Sequence, residues 1–238
     1  MKLDILAFGA HPDDIELSCA GTLAKEVANG KKVGIVDLTR GELGTRGTEK
    51  TRDEEAKDAA AILGVSIREN LGFADGFFIN DKTHQLEVIR MIRKYQPEIV
   101  ICNAIHDRHI DHGKASQLVS DACFLSGLTK IETQAEGELQ EKWRPKQVYH
   151  YIQWKNITPE IIVDITGFED TKMKSVLAYK TQFFNPESKE PQTPISSKNF
   201  SDSILYRARD LGRLIGVEYA EGFTADRHIA VDSLFDLR

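Results

Sequence analysis

Apolar residues in the first half of the chain fall into short runs separated by stretches with helical spacing. Lys2–Phe8 is a brief apolar run closed by Gly9-Ala10 and predicts a strand. From Glu16 to Ala28, Leu17, Leu23 and Val27 recur at helical intervals, and Gly30 supplies a left-handed stop. Val33–Leu38 predicts a second strand, followed by a glycine-rich loop, Arg40–Gly47. Thr48–Leu63 predicts a helix with Ala56, Ala59, Ala60 and Leu63 on one face and Gly64 at its end. Val65–Leu71 is the third strand, Asp81–Gln96 a helix stopped by Pro97, Ile99–Asn103 a fully apolar fourth strand, and Lys114–Leu125 a further helix. The later part is less regular. It predicts strands at Gln147–Trp154 and Ile161–Ile165, helices at Thr171–Phe183 and Ser203–Leu214, and a proline-containing surface loop over Phe184–Asn199.

Strands alternating with helices through short loops define an α/β fold: a mostly parallel sheet with helices on both faces. With 238 residues, no internal repeat and no linker long enough to separate two halves, the expectation is a single Rossmann-like domain over 1–238. A composition of 41% hydrophobic and 29% charged residues supports a packed core and excludes a disordered chain. The net charge of −6 argues against binding along a nucleic-acid backbone. No apolar run approaches the ~20 residues that a membrane span needs, and Met1–Ala10 is too short and too interrupted by Asp4 for a signal peptide. A cytoplasmic location follows as an expectation. Cys19, Cys102 and Cys123 are widely spaced without a CxxC pair, and read as reduced, buried thiols.

In an open parallel sheet, ligands bind outside the carboxyl ends of the strands. Two polar clusters fall there: His11-Pro12-Asp13-Asp14 after the first strand and His106–His112 after the fourth. They hold four of the seven histidines and should open on the same sheet edge. A catalytic zinc takes three His or carboxylate ligands and keeps a fourth position for water. His11, one carboxylate of the Asp13-Asp14 pair and one of His109 and His112 supply such a set. The donors are N and O, which suits Zn2+ while leaving Fe2+, Co2+ or Mn2+ open. The second Asp is then available as a general base, and His109 with Asp111 suggests an imidazole oriented by a carboxylate and kept protonated near a developing oxyanion. Taken singly, these residues have plainer readings: helix caps for Asp13 and Asp14, a strand-end histidine for His11, a solvated loop for 106–112.

AHPDD after an opening strand, with RHIDH following the fourth, resembles the zinc-dependent de-N-acetylases of the LmbE-like (PIG-L) family. Thr39–Thr48, the RDEEA start at Arg52–Ala56 and GVEYAEGF at Gly216–Phe223 extend the likeness and look most like the branch that acts in bacillithiol biosynthesis on N-acetylglucosaminyl malate. The resemblance implies one zinc ion on His11, Asp14 and His112, with Asp13 as general base. It also implies His109 as stabiliser of the tetrahedral intermediate and Asp111 as its orienting partner. The implied partner is a small-molecule N-acetyl sugar conjugate, with no nucleic acid and no membrane, and the implied assembly a homo-oligomer. Ile110 stands where proline is commoner in the second motif, which removes no donor atom.

A malate aglycone carries two carboxylates, which arginine forks match. Arg52, Arg108 and Arg144 are the candidates for substrate binding. The tyrosine that some relatives bring from the proline-rich segment has no counterpart here, where Asn199-Phe200 stands. Three rival readings follow from the residues: a nucleotide-binding domain without hydrolysis, a metal-dependent phosphoesterase, and a silent interaction protein. The first is opposed by the absence of G-x-G-x-x-G after the first strand, the second by a ligand count that suits one metal. Deacetylation of another N-acetyl sugar conjugate or a chitooligosaccharide remains the alternative within the family.

Overall fold

The strand Ile5–Gly9 (β1) is buried along its whole length, and alternate residues serve opposite faces of the sheet. Leu6 and Phe8 join one core cluster with the helices Lys82–Tyr95 and Ile110–Leu125, while Ile5 and Ala7 join another with the helix Asp14–Ala28. Its unbroken apolar run follows from this two-sided cover. In the computed structural model, which describes residues 1–236, the order is β1, α1 (Asp14–Ala28), β2 (Val33–Thr39), α2 (Glu49–Leu63), β3 (Ile67–Phe73), α3 (Lys82–Tyr95), β4 (Ile99–Cys102) and α4 (Ile110–Leu125). There follow a small hairpin, β5 (Gln134–Ala135) and β6 (Glu138–Leu139), then β7 (Gln147–Tyr151), β8 (Ile161–Asp164), α5 (Glu169–Leu177), α6 (Lys198–Ile215) and β9 (Ala220–Ala225).

The seven-stranded sheet runs β3-β2-β1-β4-β7-β9-β8. All pairs from β3 to β7 are parallel, and β9 pairs antiparallel with both β7 and β8. The chain leaves β1 towards β2 and β3 and returns on the other side as β4, so the strand order reverses between β1 and β4. A crevice opens at the carboxyl ends of such a pair, and both polar clusters sit there. Among the described residues no helix is long and apolar enough to cross a membrane. All three cysteines are free and buried.

The principal differences from the sequence expectation lie at the ends of helices and in the last strand. α4 begins at Ile110 rather than Lys114, with His109 at its N-cap and Asp111 in its first turn, where an acidic residue suits the helix dipole. α6 begins at Lys198, capped by the Ser197 hydroxyl, which accepts from the Phe200 N–H at 3.1 Å. α5 ends at Leu177, six residues short of the expected Phe183. The strand β9 was not expected, because Glu221 and Gly222 interrupt its apolar pattern. Glu221 is nevertheless buried. It accepts from the backbone N–H of Gly21 at 3.0 Å and of Thr22 at 2.7 Å, and pairs with Lys172 Nζ at 2.6 Å, tying β9 to α1 and α5.

Candidate active site

The turn after β1 puts three polar side chains, His11, Asp13 and Asp14, into the crevice by bending the backbone hard. Asp13 has φ 113°, a region that costs a non-glycine residue about 1–3 kcal/mol and persists where the surroundings enforce it. Its side chain does not cap α1, so the helix-cap reading fails. The Asp14 carboxylate is fixed from all sides. Oδ2 accepts from the His11 backbone N–H and from Asn103 Nδ2, both at 3.0 Å, and Oδ1 accepts from Gln153 Nε2 at 2.9 Å. Asn103 Oδ1 in turn accepts from the Ala10 N–H at 2.9 Å, linking the ends of β1 and β4.

His11 and His112 flank this carboxylate. His112 Nε2 is 3.1 Å from Asp14 Oδ1, and His11 Nδ1 is 3.5 Å from Asp14 Oδ2. The other nitrogen of each ring rests on an outer acid. His112 Nδ1 is 2.6 Å from Asp107, while His11 Nε2 is 3.0 Å from Asp75 and 3.4 Å from Asp111. Carboxylates on outer imidazole nitrogens are the usual supports of metal-ligating histidines. Asp75 and Asp107 were assigned no role from the sequence. Asp107 lay inside the quoted cluster, and Asp75 follows β3, so the strand-end rule that picked out the other two loops would have reached it.

His109 completes a group of three imidazoles. Its ring centroid lies 4.6 Å from that of His11 and 5.1 Å from that of His112. Ligand-bearing atoms of His11, His109 and His112 lie within 4.8 Å of one another, as do those of His11, Asp75 and Asp111. The expected partnership of His109 with Asp111 is corrected. His109 Nδ1 accepts from the Asp111 backbone N–H at 3.2 Å, whereas the Asp111 carboxylate accepts from the Gly76 N–H at 2.7 Å and from Lys114 Nζ at 3.0 Å and turns to His11. An acceptor Nδ1 leaves the proton of neutral His109 on Nε2.

The electrostatics fit a cation. Burial disfavours charge on His11, but Asp111, Asp14 and Asp75 raise its pKa well above the usual histidine range. Burial also opposes charging His112, and Asp14 and Asp107 overcome this and raise it to about 9. Burial together with the charges of His11 and His112 lowers His109. Burial, opposed by Arg52 and reinforced by Asp14, pushes Asp13 up to about 7. Acceptors thus outnumber positive charges around the rings, and the donor set of imidazoles and carboxylates suits a divalent ion.

The three arginines part company. Arg52, 5% exposed, spends its fork on the protein's own oxygens: Pro12 O at 2.7 Å, Gly41 O at 3.2 Å and Asp13 Oδ2 at 3.0 Å. Gly41, at φ 66°, gives it room, since a Cβ there would lie 2.2 Å from Arg52 Nη1. Arg52 therefore holds Asp13, and its expected role as a free carboxylate anchor is corrected. Arg108 lines the cleft and lies over the Trp154 ring at 4.5 Å. Arg144 does not reach the cleft. It donates to the Phe124 carbonyl at 2.7 Å, at the end of α4 remote from His112, and its substrate-binding expectation is corrected. The cleft, of about 600 Å3, also takes Phe200 of α6 and Thr193, Pro194 and Ile195 from the proline-containing loop.

An α/β sheet that gathers three histidines and several carboxylates beside a cleft at its strand-order reversal defines a class of protein with a side-chain set able to hold a metal ion. The chain belongs to the PIG-L family, whose model, GlcNAc-PI de-N-acetylase, matches residues 6–123 and so includes both polar loops. It is 39% identical over 125 residues to the uncharacterized deacetylase YaiS of Escherichia coli, covering 50% of this chain and 67% of that protein. It is 27% identical over 228 residues to the diacetylchitobiose deacetylase of Thermococcus kodakarensis, covering 92% of this chain and 81% of that one. Among solved structures, the conserved protein TT1542 from Thermus thermophilus superposes with a TM-score of 0.86 at 35% identity, over 97% of this chain and 98% of that chain.

Proposed function

We propose that the protein is a zinc-dependent deacetylase of an N-acetylglucosamine conjugate, with His11, Asp14 and His112 as metal ligands. The observation that carries this reading is the arrangement of the two rings. The inner nitrogens of His11 and His112 face the Asp14 carboxylate, while their outer nitrogens are held by acids. Zn2+ bound there supplies polarisation of the acetyl carbonyl and acidification of a water molecule. Asp13 acts as the base. Arg52 holds its Oδ2, so Oδ1 receives the proton of the attacking water. His109 Nε2–H donates to the acetyl oxygen as that atom gains charge. With the His109 proton engaged there, protonated Asp13 passes its proton to the departing sugar amine.

The finer reading, N-acetylglucosaminyl-L-malate as the substrate in bacillithiol biosynthesis, is supported by the motif segments at Thr39–Thr48, Arg52–Ala56 and Gly216–Phe223, and by a cationic side chain, Arg108, at the cleft. On the same resemblance, 1–238 acts as one deacetylase domain, in the cytoplasm and as a homo-oligomer. The curated relative named as a diacetylchitobiose deacetylase supports an N-acetyl sugar more generally.

The test is amine release from a panel containing N-acetylglucosaminyl malate, methyl N-acetylglucosaminide and diacetylchitobiose. Protein stripped by a chelator should release none, and protein reloaded with zinc should act fastest on the malate conjugate. No amine from any conjugate with the loaded protein would refute the deacetylase reading, and a preference for diacetylchitobiose would refute only the malate assignment. A second prediction concerns the outer acid on His112. Asp107→Asn should weaken zinc binding about 10–100-fold, read by competition with a chromophoric chelator. Unchanged affinity would remove His112 from the ligand set.

A further inference from the structure

Arg207 lies on α6, outside every motif that the sequence singles out, yet its side chain lines the same cleft as His11 and His112. It is half-buried and, among the described residues, donates a single hydrogen bond, from Nη2 to the Trp154 carbonyl at 3.0 Å. Among the described residues no carboxylate stands within 4 Å of it. The acid that acts on it from further away, Asp107, is already engaged by His112 Nδ1 at 2.6 Å and the Lys155 N–H at 2.8 Å. Among the described residues, the remaining N–H groups of the guanidinium are thus unclaimed.

The surroundings define what they would meet. Trp154 is 42% exposed and stacks on Phe200 at 5.6 Å, which itself stacks on Phe183 at 6.1 Å, so the indole is a braced surface at the cleft wall. Arg108 lies over that same indole. Arg108, Lys155 and Arg207 gather cationic charge around Trp154 in a chain whose net charge is −6. A guanidinium that is partly desolvated and lacks a protein acid is a strong partner for a carboxylate, which it binds through two parallel hydrogen bonds.

We propose that Arg207 is a specificity-determining residue that, together with Arg108 on the same tryptophan, binds a carboxylate carried by the group attached to the sugar. This rests on the deacetylase reading above and deepens it, since it assigns the recognition of an anionic aglycone to α6 rather than to Arg52.

The experiment compares two probes with the same sugar, methyl N-acetylglucosaminide and the carboxymethyl glycoside of N-acetylglucosamine, on the zinc-loaded enzyme. For Arg207→Gln, the ratio of kcat/KM for the anionic over the neutral probe should fall about 10-fold or more, mostly through KM. Arg207→Lys, which keeps the charge but not the fork, should recover part of it. A damaged fold lowers both rates together. A ratio equal to that of the unsubstituted enzyme, with or without a general loss of activity, therefore overturns the proposal. If the unsubstituted enzyme hydrolyses neither probe, the deacetylase reading fails, and calorimetric binding of the two probes reads Arg207 on its own. A preference for the carboxymethyl glycoside that Arg207→Gln abolishes sustains it, and no preference in the parent protein overturns it.

Discussion

Asp13→Ala should lower deacetylation about 10²–10⁴-fold while bound zinc remains at one per chain. Asp14, not Asp13, lies between the inner nitrogens of His11 and His112, so the metal loses no ligand in the proposed set. What disappears is the carboxylate proposed to take the proton of the attacking water. The alanine variant also leaves the buried Arg52 with only the carbonyls of Pro12 and Gly41, which adds a stability cost unrelated to proton transfer. Asp13→Asn separates the two. Its side-chain oxygen still accepts from Arg52 but cannot take the proton, so activity should fall as far while the denaturation midpoint moves less. Rates of amine release, paired with metal analysis of the same samples, decide the matter. Near-normal turnover of either variant at saturating zinc would remove Asp13 from the role of base.

Glu221→Ala should destabilise the fold by about 3–5 kcal/mol, measured by urea unfolding. Lys172, 2% exposed, would keep its charge with the Leu17 carbonyl at 2.9 Å as its remaining partner among the described residues, and Gly21 and Thr22 would lose their hydrogen bonds to the Glu221 carboxylate. Pairing Glu221→Leu with Lys172→Met should recover much of the loss, since two apolar side chains leave no buried charge unpaired. A small effect of Glu221→Ala alone would mean that water reaches Lys172 and relieves it.

The chemistry-bearing loops were legible because they follow strands whose apolar runs are unmistakable. Ile5–Gly9 and Ile99–Cys102 are buried or nearly so, and any polar residue just beyond them has to lie at the sheet edge. Contacts within the site were less legible, for a geometric reason. His109 and Asp111, two apart in sequence, invite pairing of their side chains. Once a helix starts at Ile110, residues at that spacing no longer face each other, and only the Asp111 backbone N–H meets the His109 ring. Arg52 was read as a substrate anchor because it stands at a helix start just beyond the glycine-rich loop. Its burial follows from the left-handed turn at Gly41, which brings a carbonyl back over it, and sequence pattern carries no trace of that contact. Arg144 failed for the complementary reason, since its place depends on where the chain beyond α4 comes to rest. Arg207 gave no signal, because a charged residue on an amphipathic helix looks the same whether it meets solvent or a cleft.

The position of β9 bears on how the protein is made. Residues 220–225 follow the other six strands of the main sheet in chain order, yet they fill a place between β7 and β8. Until that segment leaves the ribosome, β8 has no neighbour and β7 keeps an open edge able to pair with other nascent chains. At about 5–20 residues per second, translation of the segments that follow β8 holds those edges bare for several seconds. A chaperone that occupies unpaired strands would find its natural window there, before the last strand slots in and closes the ladder.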